Sequence, residues 1–135
     1  MTILDILKFG VEQTNKDEIS LEMLADFDDH RVGMIISSTD VTLIVKEGKV
    51  SLEEGIREDS HVVMKLGADI VCGAIDNSID LLDIKDEGEL VKGDISDPDV
   101  PVHFMATFPF FDAMVRYYEE DSTFKQNVDA VKVSL

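Results

Sequence analysis

The chain is 135 residues long, carries 29 Asp and Glu against 12 Lys and Arg, and has a formal net charge of −17 at pH 7. That length fits a single domain, 1–135, with enough interior to fold without disulfides, and the lone Cys72 could form none within the chain. So negative a surface argues against nucleic acid, which needs a basic face, and against anionic bilayers; it reads as solvation of an acid-rich surface or as selection of a basic partner.

The first residues, Met1 to Asp5, have no basic region and no long apolar run, so no signal peptide is expected. No stretch approaches the roughly 18 apolar residues of a membrane span. The ending Val133-Ser134-Leu135 puts valine where a peroxisomal tripeptide needs a small residue. With one cysteine suited to a reducing compartment, a cytoplasmic protein is expected.

Thr2 and Asp5 form a capping pair for a first helix over 2–15, lined by Ile3, Leu4, Leu7 and Val11. A second short helix is expected with Ser20 as its cap and Leu21, Leu24 and Phe27 facing inward. From Arg31 the period changes to two: Val32, Met34 and Ile36 alternate along one strand, and Val41, Leu43 and Val45 along the next. Glu47-Gly48 is a tight-turn candidate, leading to a shorter third strand over 49–53. A charged connection over 54–60 precedes a fourth strand containing Val62, Val63, Met64 and Leu66. The short connections predict hairpins and hence a mostly antiparallel sheet.

Ile70, Val71, Ala74 and Ile75 then recur at helical spacing over 67–78, and Ile79, Leu81, Leu82 and Ile84 give a second short helical segment. Gly88 to Asp94 reads as a fifth strand between glycines, followed over 95–101 by a loop or helix lead-in around Pro98 and Pro101. Over 102–118, Phe104, Phe108, Phe111, Val115 and Tyr118 follow one helical stripe beside Met114, with a kink or break expected at Pro109. Residues 122–135 fit a terminal helix or a loose strand. Strands bracketed by helices, with a helical insert, predict an α+β fold: a mostly antiparallel five-stranded sheet covered on one face by helices.

Catalytic motifs are missing. Cys72 sits in an apolar helical run and reads as a small hydrophobe. His30, His61 and His103 lie in different elements, none at i, i+3 or i+4 from another or from Cys72, so a zinc site would need tertiary convergence. Asp26, Asp28, Asp29 and His30 resemble a cation loop, but Arg31 stands where an EF-hand needs glycine. No phosphate-binding, dinucleotide-binding or nucleophile-elbow pattern occurs. Neither an enzyme, a metal nor a cofactor is expected.

The stretch 61–94, in the order strand, helix, short helix, glycine-bounded strand ending Gly88-Glu89-Leu90-Val91-Lys92-Gly93-Asp94, resembles the sterol carrier protein type 2 (SCP-2) lipid-binding domain. The strand over 41–46 and the turn Lys46-Glu47-Gly48-Lys49-Val50 resemble the family's early hairpins, so the likeness spans roughly 32–118. Two departures are an interval from Gly88 to Gly93 about a residue short and an unusually acidic helix-to-strand connection. The resemblance implies non-catalytic binding or carriage of a fatty acid, acyl-CoA or sterol-like lipid in an apolar tunnel between sheet and helices. By analogy Ile70, Val71 and Ile75 form one wall, Phe104, Phe108, Phe111 and Met114 a lid or second wall, and Val63 part of the floor. Six methionines and seven phenylalanines with no tryptophan suit either a deformable pocket or plain packing. A filled-core interaction module, dimerising through Phe110 or Tyr117, or an accessory subunit with a basic partner, are the alternatives.

Overall fold

The computed structural model describes residues 2–94 and 96–135, so expectations touching Met1, Ile95 and the Leu82 side chain lie outside the described residues. Helix α1 (Ile3–Thr14) opens on the expected capping box: Thr2 N–H donates to Asp5 Oδ2 at 2.9 Å while Asp5 N–H donates to Thr2 Oγ1 at 3.3 Å. Helix α2 (Glu18–Leu24) begins one turn earlier than expected. Its cap is Asp17, which accepts from Ser20 N–H at 2.9 Å; Ser20 is buried, and its hydroxyl donates to Pro109 O.

Strands β1 (His30–Ile36), β2 (Thr39–Lys46), β3 (Lys49–Glu54), β4 (Val62–Leu66) and β5 (Glu89–Lys92) form a five-stranded sheet in the order β3-β2-β1-β4-β5. Glu47 and Gly48 both have positive φ, 56° and 76°, as the two-residue turn between β2 and β3 requires. The sheet is mixed, correcting the expectation of hairpins throughout: β4 does not follow β3 at the edge but pairs parallel with β1. Residues 55–61 cross the outer face to reach it. Thr42, buried on that face, donates to Gly55 O at 2.8 Å and accepts from Arg57 N–H at 3.0 Å; His61 N–H then donates to Arg31 O at 2.8 Å.

The remaining helices are α3 (Ala68–Ile75), α4 (Ile84–Glu87, after a 3-10 turn at Leu81–Asp83), α5 (Asp99–Met105), α6 (Phe108–Glu120) and α7 (Ser122–Val133). Pro109 does break the aromatic stretch, standing in the first turn of α6 where a missing N–H costs nothing. The C-terminal segment is a helix: Asp121 caps it by accepting from Phe124 N–H at 2.8 Å, and Phe124, Val128 and Val131 bury one stripe. The inward strand residues Val32, Met34, Ile36, Val41, Leu43, Val45, Val62, Met64 and Leu66 share one core with Ile6, Leu7, Leu24, Val71, Ile75, Phe110, Phe111 and Met114 from the helices.

Two polar devices fix the helices to that core. The Asn15 amide pairs with Val50 in both directions, at 2.9 and 3.0 Å, occupying the ladder groups of edge strand β3. Arg116 of α6 makes a forked contact to Asp17, with Nε and Nη2 donating at 3.0 and 2.7 Å, and also reaches Ser20 and Asp112.

Helices α1 and α6 approach closely at Gly10, where an added Cβ would lie 2.5 Å from Met114 Sδ and 3.0 Å from Phe110. Alanine normally improves a helix interior by up to about 1 kcal/mol, but overpacking a full core costs about 1–3 kcal/mol. Gly10→Ala is therefore expected to lower stability in urea unfolding; a gain would show that the interface yields. The net charge of −17 makes a second expectation. Going from about 0.1 to about 1 M salt shortens the screening length from about 10 to about 3 Å, so self-repulsion falls and Tm should rise by several degrees.

Candidate functional site

On β1 and β4 the alternate residues Val32, Met34, Met64 and Leu66 point toward the helices, because the parallel register pairs Met34 with Met64 and Ile36 with Leu66. Ile84 of α4, Phe104 of α5, Thr107 just before α6 and Phe111 of α6 close over them. The space enclosed is an apolar slot of about 10 Å³, room for about one water. Among the described residues its one polar side chain is already satisfied, since Thr107 Oγ1 donates to Phe104 O at 2.7 Å.

Of the side chains singled out in the sequence, Phe104 and Phe111 line this slot. Val71, Ile75 and Met114 are fully buried in the main core beside it, and Ile70 and Phe108 are half-buried against that core. Val63 lies on the opposite face of the sheet: it pairs with Gly33, whose Cβ position is 3.0 Å from Val63 Cγ2 and 3.2 Å from Ile56 of the crossover. The floor is thus built by the neighbouring parity, which a strand's alternation alone does not reveal. Phe110 is also buried and edge-on to Phe111, so it offers no association surface; Tyr117 packs against Phe9 and Phe124. Cys72 is fully buried, and burial pushes its thiol up to about 11, with the Asp76 carboxylate acting in the same direction. Such a thiol supplies no nucleophile near neutrality.

The three histidines meet at one end of the slot. His30 starts β1 on the inward side, two residues before Val32; His61 precedes β4; His103 precedes Phe104 on α5. The Nδ1 atoms of His30 and His103 are 2.8 Å apart, with ring centroids at 4.9 Å. His61 stacks on His103 at 4.4 Å with planes 12° apart. Arg31 N–H donates to His61 Nδ1 at 3.1 Å, and the Arg31 guanidinium Nη2 stands 3.3 Å from His61 Nε2. The tertiary convergence that a metal would need has therefore occurred, but the two Nδ1 atoms stand at hydrogen-bond distance from each other. Among the described residues no three His, Cys, Asp or Glu are arranged to hold a metal ion.

Burial lowers His30 from the usual imidazole range, the charge of His61 adds to this, and Asp29 and Asp28 oppose it. His103 is lowered in the same way by burial, His61 and His30, against Asp99 and Asp97. No local pattern announces this cluster, since its three members stand far apart along the chain, in separate elements.

The fold is that of known sterol carrier structures. Sterol carrier protein 2 superposes with a TM-score of 0.60 at 13% identity, covering 82% of this chain and 94% of that one. A UbiJ-SCP2 ubiquinone synthesis protein gives 0.53 at 15% identity, covering 87% and 88%. A conserved hypothetical protein of Thermus thermophilus, described as a candidate sterol carrier protein, gives 0.57 at 13% identity, covering 83% and 85%. No protein-family model and no curated protein matches the sequence. The resemblance read from 61–94 thus holds at the level of fold. No helix among the described residues is long and apolar enough to cross a membrane.

Core burial and slot lining make different demands on two of the phenylalanines of α6, Phe111 and Phe108. Phe111→Ala, at a buried position, is expected to cost about 3–5 kcal/mol, and Phe108→Ala, at a half-buried one, about a third of that; equal losses in urea titrations would contradict this placement.

Proposed function

We propose that this chain binds a lipid, non-catalytically, by opening the slot between β1, β4 and the helices α5 and α6 around an acyl chain or sterol-like body. The observation that carries this reading is the slot itself: a lining of aliphatic, methionine and phenylalanine side chains whose only polar member among the described residues is internally bonded. It lies between the sheet and the helices of a fold shared with sterol carrier protein 2. A ligand offered no charge and no free hydrogen bond there must be recognised by its apolar area.

The slot is nearly closed, at about 10 Å³, so binding requires its cover to move. About ten buried methylenes would contribute about 8 kcal/mol, equivalent to a micromolar complex if opening were free. Met34 and Met64 form the part of the floor best able to repack, because thioether chains have three soft torsions. Phe104 and Phe111 must shift with their helices. Ile70, Val71, Ile75, Phe108 and Met114 would then serve as the surrounding wall that an expanded slot reaches.

Native mass spectrometry of gently purified protein, with displacement of a fluorescent fatty acid, tests this reading. A co-purified lipid or saturable displacement is expected. Met34→Phe should fill the slot and weaken binding at least about ten-fold, at a stability cost of about 1–3 kcal/mol from overpacking. A clean apo mass with no displacement would leave a filled core and sink the proposal.

A further inference from the structure

Helix α5 is a lightly held part of the slot's cover. It has seven residues, no side-chain N-cap, and only Val100 and Phe104 buried. Val102 and Met105 on its other side are 42% and 48% exposed. Among the described residues, the one hydrogen bond joining α5 to the sheet is that between His103 and His30. We propose that α5 is a cover that protons release: the cluster of His30, His61 and His103 latches it over the apolar slot when neutral and lets it go when doubly charged. This rests on the lipid-binding reading for its purpose, though not for its mechanism.

The chemistry follows from the shared contact. In the neutral pair one Nδ1–H donates to the other Nδ1. A first added proton can enter the donor ring at Nε2, leaving that bond in place and charge-assisted. A second must enter at the acceptor Nδ1, so two N–H groups then face each other at a 2.8 Å separation and the bond is lost. Both rings are now cations, and His61 lies stacked 4.4 Å from one of them. The Arg31 guanidinium, 3.3 Å from His61 Nε2 and paired with Asp29 and Asp59, adds fixed positive charge.

Acidic groups also act on the cluster: Asp28 and Asp29 before β1, and Asp97 and Asp99 around the start of α5. They favour protonation, yet burial outweighs them, and both His30 and His103 sit below the ordinary value of 6.5 while α5 is closed. A released α5 takes up protons at the ordinary value; the closed form takes them up only at lower pH. Closure is therefore fully favoured above pH 6.5 and is lost as pH falls below it through the depressed values. With two protons linked, the closing equilibrium changes by up to about 100-fold per pH unit within that window.

The test is hydrogen exchange of the full chain at pH 7.5 and 5.0, compared as protection factors so that intrinsic exchange rates cancel. Protection of α5 amides should fall at least about ten-fold at the lower pH, while α1 and α6 hold theirs. His103→Gln or His30→Gln should flatten this response, and His61→Phe, which keeps the stack without its charge, should move the midpoint. Removing a neighbouring cation raises the closed-state values of the pair, so the shift should be toward higher pH. Unchanged α5 protection, a parallel fall in α1 and α6, or an unaltered response in both glutamine variants would overturn the latch. Uptake of an uncharged long-chain fluorescent probe, measured alongside, separates the two ideas. Faster uptake at pH 5.0 with loosening of α5 supports both. Loosening without uptake at either pH overturns the lipid reading and leaves the latch; uptake with α5 unchanged overturns the latch and leaves the lipid reading.

Discussion

The parallel pairing of β1 with β4 is the constraint on which the site depends. It sets Val32 beside Val62, Met34 beside Met64 and Ile36 beside Leu66 on one face, so two separate apolar alternations become one continuous floor. Parallel strands also start at the same end of a sheet, which brings His30 and His61 together although the whole of β1, β2 and β3 lies between them in the chain. An antiparallel β4 hairpinned onto β3 would have put Met64 away from Met34 and removed His61 from His30. The crossover at 55–61 enforces the pairing through contacts on the outer face: Thr42 holds Gly55 and Arg57, Ile56 sits over Gly33, and Arg31 holds His61.

That outer face is covered near Gly33 by the crossover. Val63 consequently finds a buried environment on the wrong side of the sheet for the slot, at 4% exposure, among Gly33 and Ile56. On the inner face the cover is uneven. Helix α6 is fixed by the Arg116 fork to Asp17 and by the buried side chains of Phe110, Phe111 and Met114. Helix α5 has two buried side chains and, among the described residues, one hydrogen bond to the sheet. Local opening follows local burial, so any widening of the slot begins at Phe104 rather than at Phe111.

Short-range patterns are what the sequence discloses. The Thr2–Asp5 box, the Glu47-Gly48 turn, the alternation along β1 and β2 and the break at Pro109 each depend on a few adjacent residues. Ser20 looks like a cap because Leu21 follows it directly, whereas the apolar residue nearest Asp17 is the exposed Ile19, and the buried partner of Ser20, Pro109 O, is 89 residues distant. Helix α7 has only Phe124, Val128 and Val131 to bury among polar neighbours, a stripe too sparse to distinguish it from a strand end. Strand neighbours lie beyond reach in a stronger sense: a charged connection serves equally as a hairpin loop or a crossover, and that choice fixes both the parity of Val63 and the meeting of the histidines. The SCP-2 resemblance recovers the order of elements, not the register.

The charge of the chain bears on the cluster as well as on its surface. A protein at −17 surrounds every imidazole with a negative potential that draws protons in. His30 and His103 resist it chiefly because they are buried, with His61 acting in the same direction, and α5 itself supplies part of that burial. Once α5 lifts, desolvation falls away while Asp28 and Asp29 remain beside His30, and Asp97 and Asp99 travel with His103, so the same acids that were outweighed now hold the protons taken up. Opening and protonation therefore reinforce one another, and the transition sharpens beyond what two independent histidines would give. Salt, by screening the acids more than the buried contact, weakens the open, protonated side of this balance and moves release to lower pH.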